Sequence, residues 1–153
     1  MHIQFYTPAW QESFDTLFVA YFLEDLQMAA TEAGIRNKLC PFIHDLWEKQ
    51  IIRIDLLILE TEPIGFSIYQ IDTPESDWCK KEGWGFIREF YIHPDYRRLG
   101  YGTFLARHTT AQLSQMGSAQ IYLTADSAGE FWLRCGFHQT AEICSNDLPV
   151  FVK

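Results

Sequence analysis

The chain is poor in several things that would each have suggested a class of protein. No apolar run approaches the length of a membrane-spanning helix. The opening Met1-His2-Ile3-Gln4 does not read as a secretory leader, so a cytoplasmic protein that does not enter the membrane is expected. Only four cysteines occur (Cys40, Cys79, Cys135, Cys144), far apart and without a C-x-x-C pair, as suits reduced thiols. Cys135 and His138 are close enough for two metal ligands, but no second pair completes a set, and no metal is expected. Positive charge is scarce: 12 Lys and Arg against 20 Asp and Glu leave a formal net charge of −8. Counting along the rows, residues 1–89 carry 15 acidic and 7 basic residues, and residues 90–153 carry 5 of each. That balance disfavours nucleic acid, which needs clustered positive charge. An acidic front half suits a cationic small molecule or a basic peptide, or serves solubility alone. Repeats, low-complexity tracts and linkers are missing as well.

What remains reads as one folded domain over 1–153, with 48% hydrophobic and 16% aromatic residues. Ile3-Gln4-Phe5-Tyr6 predicts a short strand, and Thr7-Pro8 suits a helix start. Phe14, Leu17, Phe18, Tyr21, Phe22 and Leu26 follow at helical spacing, with Gly34 as the expected stop. A second helix is predicted from Phe42 to Lys49. The β-rich runs Ile52–Leu59 and Ile64–Ile71 flank Glu60-Thr61-Glu62-Pro63 and predict an antiparallel hairpin. Asp72–Glu82 reads as a loop and Gly83–His93 as a strand ended by Pro94. A helix over Gly100–Gln115, a strand at Ile121–Leu123, a brief helix at Glu130–Arg134 and a closing strand pair near Ile143 and Val150–Val152 complete the order β-α-α-β-β-β-α-β-α-β-β. The expected class is α/β, with a mixed sheet flanked by helices.

Within this order, Arg97-Arg98-Leu99-Gly100-Tyr101-Gly102-Thr103 stands between a strand and a helix start. Free N–H groups and a partial positive charge at such a start attract anions, glycines allow close main-chain approach, and two arginines add charge. A dinucleotide fingerprint would need a third glycine where Leu105 stands, and a P-loop would need Gly-Lys-Ser/Thr. Both are excluded.

The stretch Glu89-Phe90-Tyr91-Ile92-His93-Pro94-Asp95-Tyr96-Arg97-Arg98-Leu99-Gly100-Tyr101-Gly102 resembles the GNAT superfamily of acyl-CoA-dependent N-acetyltransferases, with its strand, proline stop and [Q/R]-x-x-G-x-[G/A] helix start. Ala128-Gly129-Glu130-Phe131-Trp132-Leu133-Arg134-Cys135-Gly136-Phe137 resembles that family's A-x-x-F-Y-x-x-x-G-F segment, and the hairpin containing Ile64-Gly65-Phe66 resembles its central strands. The likeness is specific over residues 64–137. It implies a mostly antiparallel central sheet and acetyl-CoA as co-substrate. The amides around Leu99, Gly100, Tyr101, Gly102 and Thr103 would hold the diphosphate beside Arg97 and Arg98. The main chain of Tyr91 and Ile92 would pair with the pantetheine arm.

The resemblance also implies direct acetyl transfer to a small-molecule or protein amine in a ternary complex. Such an amine has a pKa of about 10 and must lose its proton first. Glu89 is the candidate base; the other reading is a structural, ion-paired carboxylate. Strand alternation puts Arg88 and Glu89 on opposite faces unless a bulge intervenes. An Arg88 facing the cleft would suit an acceptor carrying a carboxylate or phosphate. Trp132 occupies the family's usual general-acid tyrosine position, and Ala125 replaces its asparagine. The thiolate then leaves unassisted or with help from Tyr101 or water, or the protein is an acyl-CoA-binding sensor with little turnover. Glu24, Asp25 and Glu32 are further candidates for meeting a cation, and a homodimer is compatible with the family.

Overall fold

A computed structural model describes all residues, 1–153. Seven strands form one sheet in the order β1-β2-β3-β4-β5-β7-β6: β1 His2–Phe5, β2 Arg53–Leu59, β3 Glu62–Ile71, β4 Gly85–Ile92, β5 Ile121–Thr124, β6 His138–Ile143 and β7 Pro149–Val152. All neighbours are antiparallel except β4 and β5, as the mostly antiparallel expectation required. Helices α1 (Gln11–Ala20), α2 (Glu32–Gly34) and α3 (Cys40–Glu48) cover one face; α4 (Tyr101–Gln115) and α5 (Gly129–Arg134) cover the other. No helix is long and apolar enough to cross a membrane.

Alternation along β2 and β3 sends Ile54, Leu56, Phe66 and Ile68 towards α1 and α3, where Phe14, Phe18, Ile43 and Leu46 meet them. Phe66 is fully buried, 5.3 Å from Phe14 and 5.7 Å from both Tyr21 and Tyr91 between ring centres. Burial of each such side chain contributes about 1.5–3 kcal/mol. On the opposite face Tyr69, Ile87, Leu123 and Phe151 pack against Ala106, Leu113 and Trp132.

Three sequence expectations differ in detail. Gly34 does not stop the first helix: α1 continues only through a π-helical turn, Tyr21–Asp25. Gly34 instead lies in the first turn of the next helix, where the Thr31 hydroxyl accepts its N–H at 3.0 Å. That helix runs on from α2 through a second π-helical turn, Ile35–Leu39, into α3, so it begins well before Phe42. Pro63 lies inside β3 rather than in the turn, tolerated because the ladder shifts register there and asks no N–H of it.

Candidate active site

The parallel pair β4–β5 is only two residues long, Gly85 with Ile121 and Phe86 with Tyr122. Beyond it β4 continues through Ile92 against β3 alone, while β5 turns towards β7. The strands splay, and the second edge of β4 is left without a partner. An unpaired edge offers alternate N–H and C=O groups to any extended ligand.

β4 also carries a bulge at its centre. Ile87 pairs with Tyr69 and Glu89 with Ile68, so Arg88 is an extra residue opposite nothing. The bulge turns Arg88 and Glu89 to the same face, the α1–α3 side. Plain alternation would have separated them. Arg88 lies over the Phe42 ring at 5.7 Å and makes a two-pronged ion pair with Asp77 at 2.7 and 2.8 Å. Its charge is therefore already matched and is not free for an acidic acceptor.

Glu89 is only partly accessible, and its Oε2 accepts the Tyr21 hydroxyl at 2.5 Å. Burial pushes its carboxyl up to about 7, against the opposing pull of the Tyr21 hydrogen bond and the Arg88 charge. The Tyr21 phenol is held well above its ordinary 10, first by burial and then by Glu89, so it stays a donor. Tyr21 opens the π-helical turn that ends α1, a distortion often found at functional sites. Its helical spacing with Phe14 and Phe18 marked it as core, and only the fold reveals its second role. The Tyr91 hydroxyl, on the same face, is buried without a partner.

Between β4 and α4 the chain makes a short 3₁₀ turn, Pro94–Tyr96, closed by the His93 ring accepting the Asp95 N–H at 3.3 Å. From Arg98 through Thr103 no backbone N–H donates within the chain; the first to do so is Phe104, to the Gly100 carbonyl at 3.0 Å. Six successive free amides at an uncapped helix start form an anion-binding concavity. Arg98 (φ +62°) and Gly100 (φ +86°) take left-handed backbone to make it. The two glycines serve different ends. Gly100 stands in open space and is required for its φ, whereas a Cβ on Gly102 would meet the Phe131 ring at 3.2 Å. Gly102 therefore admits α5 against α4.

Arg97 does not extend freely beside these amides. Its Nε donates to the Ile92 carbonyl at 2.8 Å, its Nη2 to Asp25 at 2.7 Å, and it lies 5.6 Å from the Tyr91 ring centre. Asp25 is thus matched, as is Glu32, which pairs with Arg36 at 3.1 Å. Glu24 makes no such pair. Trp132 is 4% exposed and packs between Phe90, Phe131 and Phe137 at 4.9–5.3 Å, on the face of β4 opposite Glu89. The two candidate catalytic residues are not brought together. Tyr101 is half-buried against the cluster of Leu57, Ile64, Ile92 and Leu105 and makes no side-chain hydrogen bond.

The sequence matches the Acetyltransferase (GNAT) family over residues 4–137. No curated protein matches it significantly. The fold is similar to a GNAT-family acetyltransferase of Staphylococcus aureus Mu50 (13% identity, TM-score 0.77, covering 99% of this chain and 97% of that one). It is similar also to the PaiA N-acetyltransferase of Thermoplasma acidophilum, solved in complex with coenzyme A (15% identity, TM-score 0.74, 100% and 99% covered). A third likeness is to an aminoglycoside 6′-N-acetyltransferase of Acinetobacter haemolyticus (17% identity, TM-score 0.71, 94% and 95% covered).

Proposed function

The chain belongs to the acetyltransferase (GNAT) family, and from that premise we propose that it moves the acetyl group of acetyl-CoA directly to a primary amine in a ternary complex, as one cytoplasmic domain spanning 1–153. Acetyl-CoA is the co-substrate of this family; bound here, it would supply the acyl group as a thioester. The run of free amides from Arg98 to Thr103, with no side chain capping it, fits its diphosphate. The unpaired edge of β4 along Tyr91 fits its extended arm. The Ile92 carbonyl already accepts one bond, from Arg97 Nε–H.

The observation that carries the chemistry is Glu89, a carboxylate with one oxygen held by Tyr21 and a pKa near 7. Glu89 takes the proton from the incoming ammonium, matched to its task at neutral pH. The bulge at Arg88 interrupts the β3–β4 ladder at the same level, and a backbone N–H freed there would be a donor of the kind that stabilises a developing oxyanion. Because Trp132 is enclosed by aromatic rings, it offers no acid; a thiolate of pKa about 8.5 leaves without one, or through Tyr101 or water. The acceptor is a small-molecule amine or a protein amine, and the acidic front half favours one that is itself cationic.

The enclosure of Trp132 also favours a second reading, an acyl-CoA binder with little turnover. Thiol release against a panel of amines separates the two. Wild type releases thiol with at least one amine, and Glu89→Gln lowers kcat by about a hundredfold or more with acetyl-CoA affinity unchanged. Tight acetyl-CoA binding with no release for any amine selects the second reading.

A further inference from the structure

The π-helical turn that ends α1 is fastened to β4 at both of its ends. Its first residue, Tyr21, donates its hydroxyl to Glu89 at 2.5 Å. Its last residue, Asp25, accepts from Arg97 Nη2 at 2.7 Å. Helix does not resume until Glu32, and no side chain from Leu26 to Ala30 makes a hydrogen bond. Asp25 is therefore the last point at which a side chain ties the turn to the sheet. A π-helical turn is an irregular coil, and its side chains keep their aim only where such contacts fix it.

Arg97 is itself fixed from the strand side. Its Nε donates to the Ile92 carbonyl at 2.8 Å, and its guanidinium lies 5.6 Å from the Tyr91 ring centre. The Tyr91 ring is also 5.6 Å from the Tyr21 ring. The contacts close a circuit: Glu89, Tyr21, the turn, Asp25, Arg97, then back along β4 from Ile92 to Glu89. Members of such a network hold one another in place. Few other charged or titratable groups face Glu89. Arg88, on its own strand, is paired with Asp77, and the Tyr91 hydroxyl on the same face is buried without a partner. Its neighbour across β3 is Ile68, and α3 brings only the Phe42 ring against Arg88. We infer that Asp25 is a positioning residue: by seating the turn on Arg97, it keeps the Tyr21 hydroxyl on Glu89. The inference rests on the reading of Glu89 as the base.

NMR titration of the carbon-13-labelled glutamate carboxyls tests it without any turnover, with the Glu89 signal assigned by its loss in Glu89→Gln. The wild-type carboxyl titrates near 7. Tyr21→Phe removes the donor and raises that value by about one pH unit or more. Asp25→Asn raises it by part of that amount, and adds nothing further in the Tyr21→Phe background. The direction separates positioning from plain charge. Deleting the Asp25 charge leaves Arg97 unmatched, and by Coulomb's law both changes favour the ionised carboxylate and lower the value. The Asp25–Arg97 pair is partly exposed and adds little to overall stability, so Asp25→Asn folds. An unmoved or lowered value in Asp25→Asn overturns the inference. An equal rise in both backgrounds also overturns it, since the effect would then bypass Tyr21. The pH limb of kcat/KM for an amine follows the carboxyl in every variant. A limb that stays while the carboxyl moves overturns the reading of Glu89 as the base and leaves the seating of the turn in place.

Discussion

Tyr21 and Glu89 together set the pH at which the α1 side of β4 can accept a proton. Burial raises the Glu89 carboxyl to about 7, and the Tyr21 hydrogen bond holds it from rising further. A base works when deprotonated, so kcat/KM for an amine is expected to climb as pH rises through about 7. In Tyr21→Phe the stabilising donor is gone, and this limb moves to higher pH while acetyl-CoA affinity holds. In Glu89→Gln the limb disappears. A pH–rate profile of the three proteins checks both statements; a limb that stays in place in Tyr21→Phe removes the tyrosine from this role. Glu89 was legible in the sequence as a carboxylate on a strand before the glycine motif. Tyr21 was not, because its partner lies 68 residues away and its helical spacing matches that of a core aromatic. The pairing of Arg88 with Asp77 was equally hidden, since it depends on how the 72–84 loop folds back over β4.

At the scale of elements, the strands and their order along the chain were recoverable from alternation and turn residues, and the phosphate-type loop from its glycines, but the place of β7 between β5 and β6 was not. Nor was the bulge. A one-residue register shift depends on which residues of the neighbouring strand are opposite, and Ile87-Arg88-Glu89 contains no glycine to mark it. The helix following Thr31 was read short for a related reason: glycine signals a stop only when its φ is positive, and Gly34 has φ −63°. Gly100 and Gly102 illustrate the same distinction within one motif. Gly100→Ala puts a Cβ at φ +86° with nothing nearby to clash, so its cost is purely conformational, about 1–2 kcal/mol. For a protein of this size that lowers Tm by about 2–8 °C. Asparagine tolerates left-handed backbone better than alanine, so Gly100→Asn loses less. Thermal melts of the two variants, with and without acetyl-CoA, check the order; a Gly100→Ala protein as stable as wild type would show that the turn does not hold this conformation.

For the molecule as a whole, the site draws on both helical layers at once. The sheet separates two apolar clusters, one under α1 and α3 and one under α4 and α5, and the free edge of β4 lies where the strands part between them. Glu89 is set against the larger cluster, and its placement there carries a cost that depends on pH. In the unfolded chain its carboxyl titrates at its ordinary value near 4.5, and in the folded protein near 7. Between those values the folded state holds more protons than the unfolded one, so the contribution of this group to stability falls as pH rises across that window. Below it both states are protonated and there is no penalty; above it both are ionised and the penalty is complete. Gln is a neutral isostere that can still accept the Tyr21 hydroxyl. Glu89→Gln is therefore expected to melt at a higher temperature than wild type at pH 8 and at the same temperature at pH 4. Scanning calorimetry at the two pH values reads the difference directly. A Glu89→Gln protein that melts lower than wild type at pH 8 would mean that the ionised carboxylate is stabilised in the folded state, and the role of Glu89 as a base titrating near neutrality would go with it.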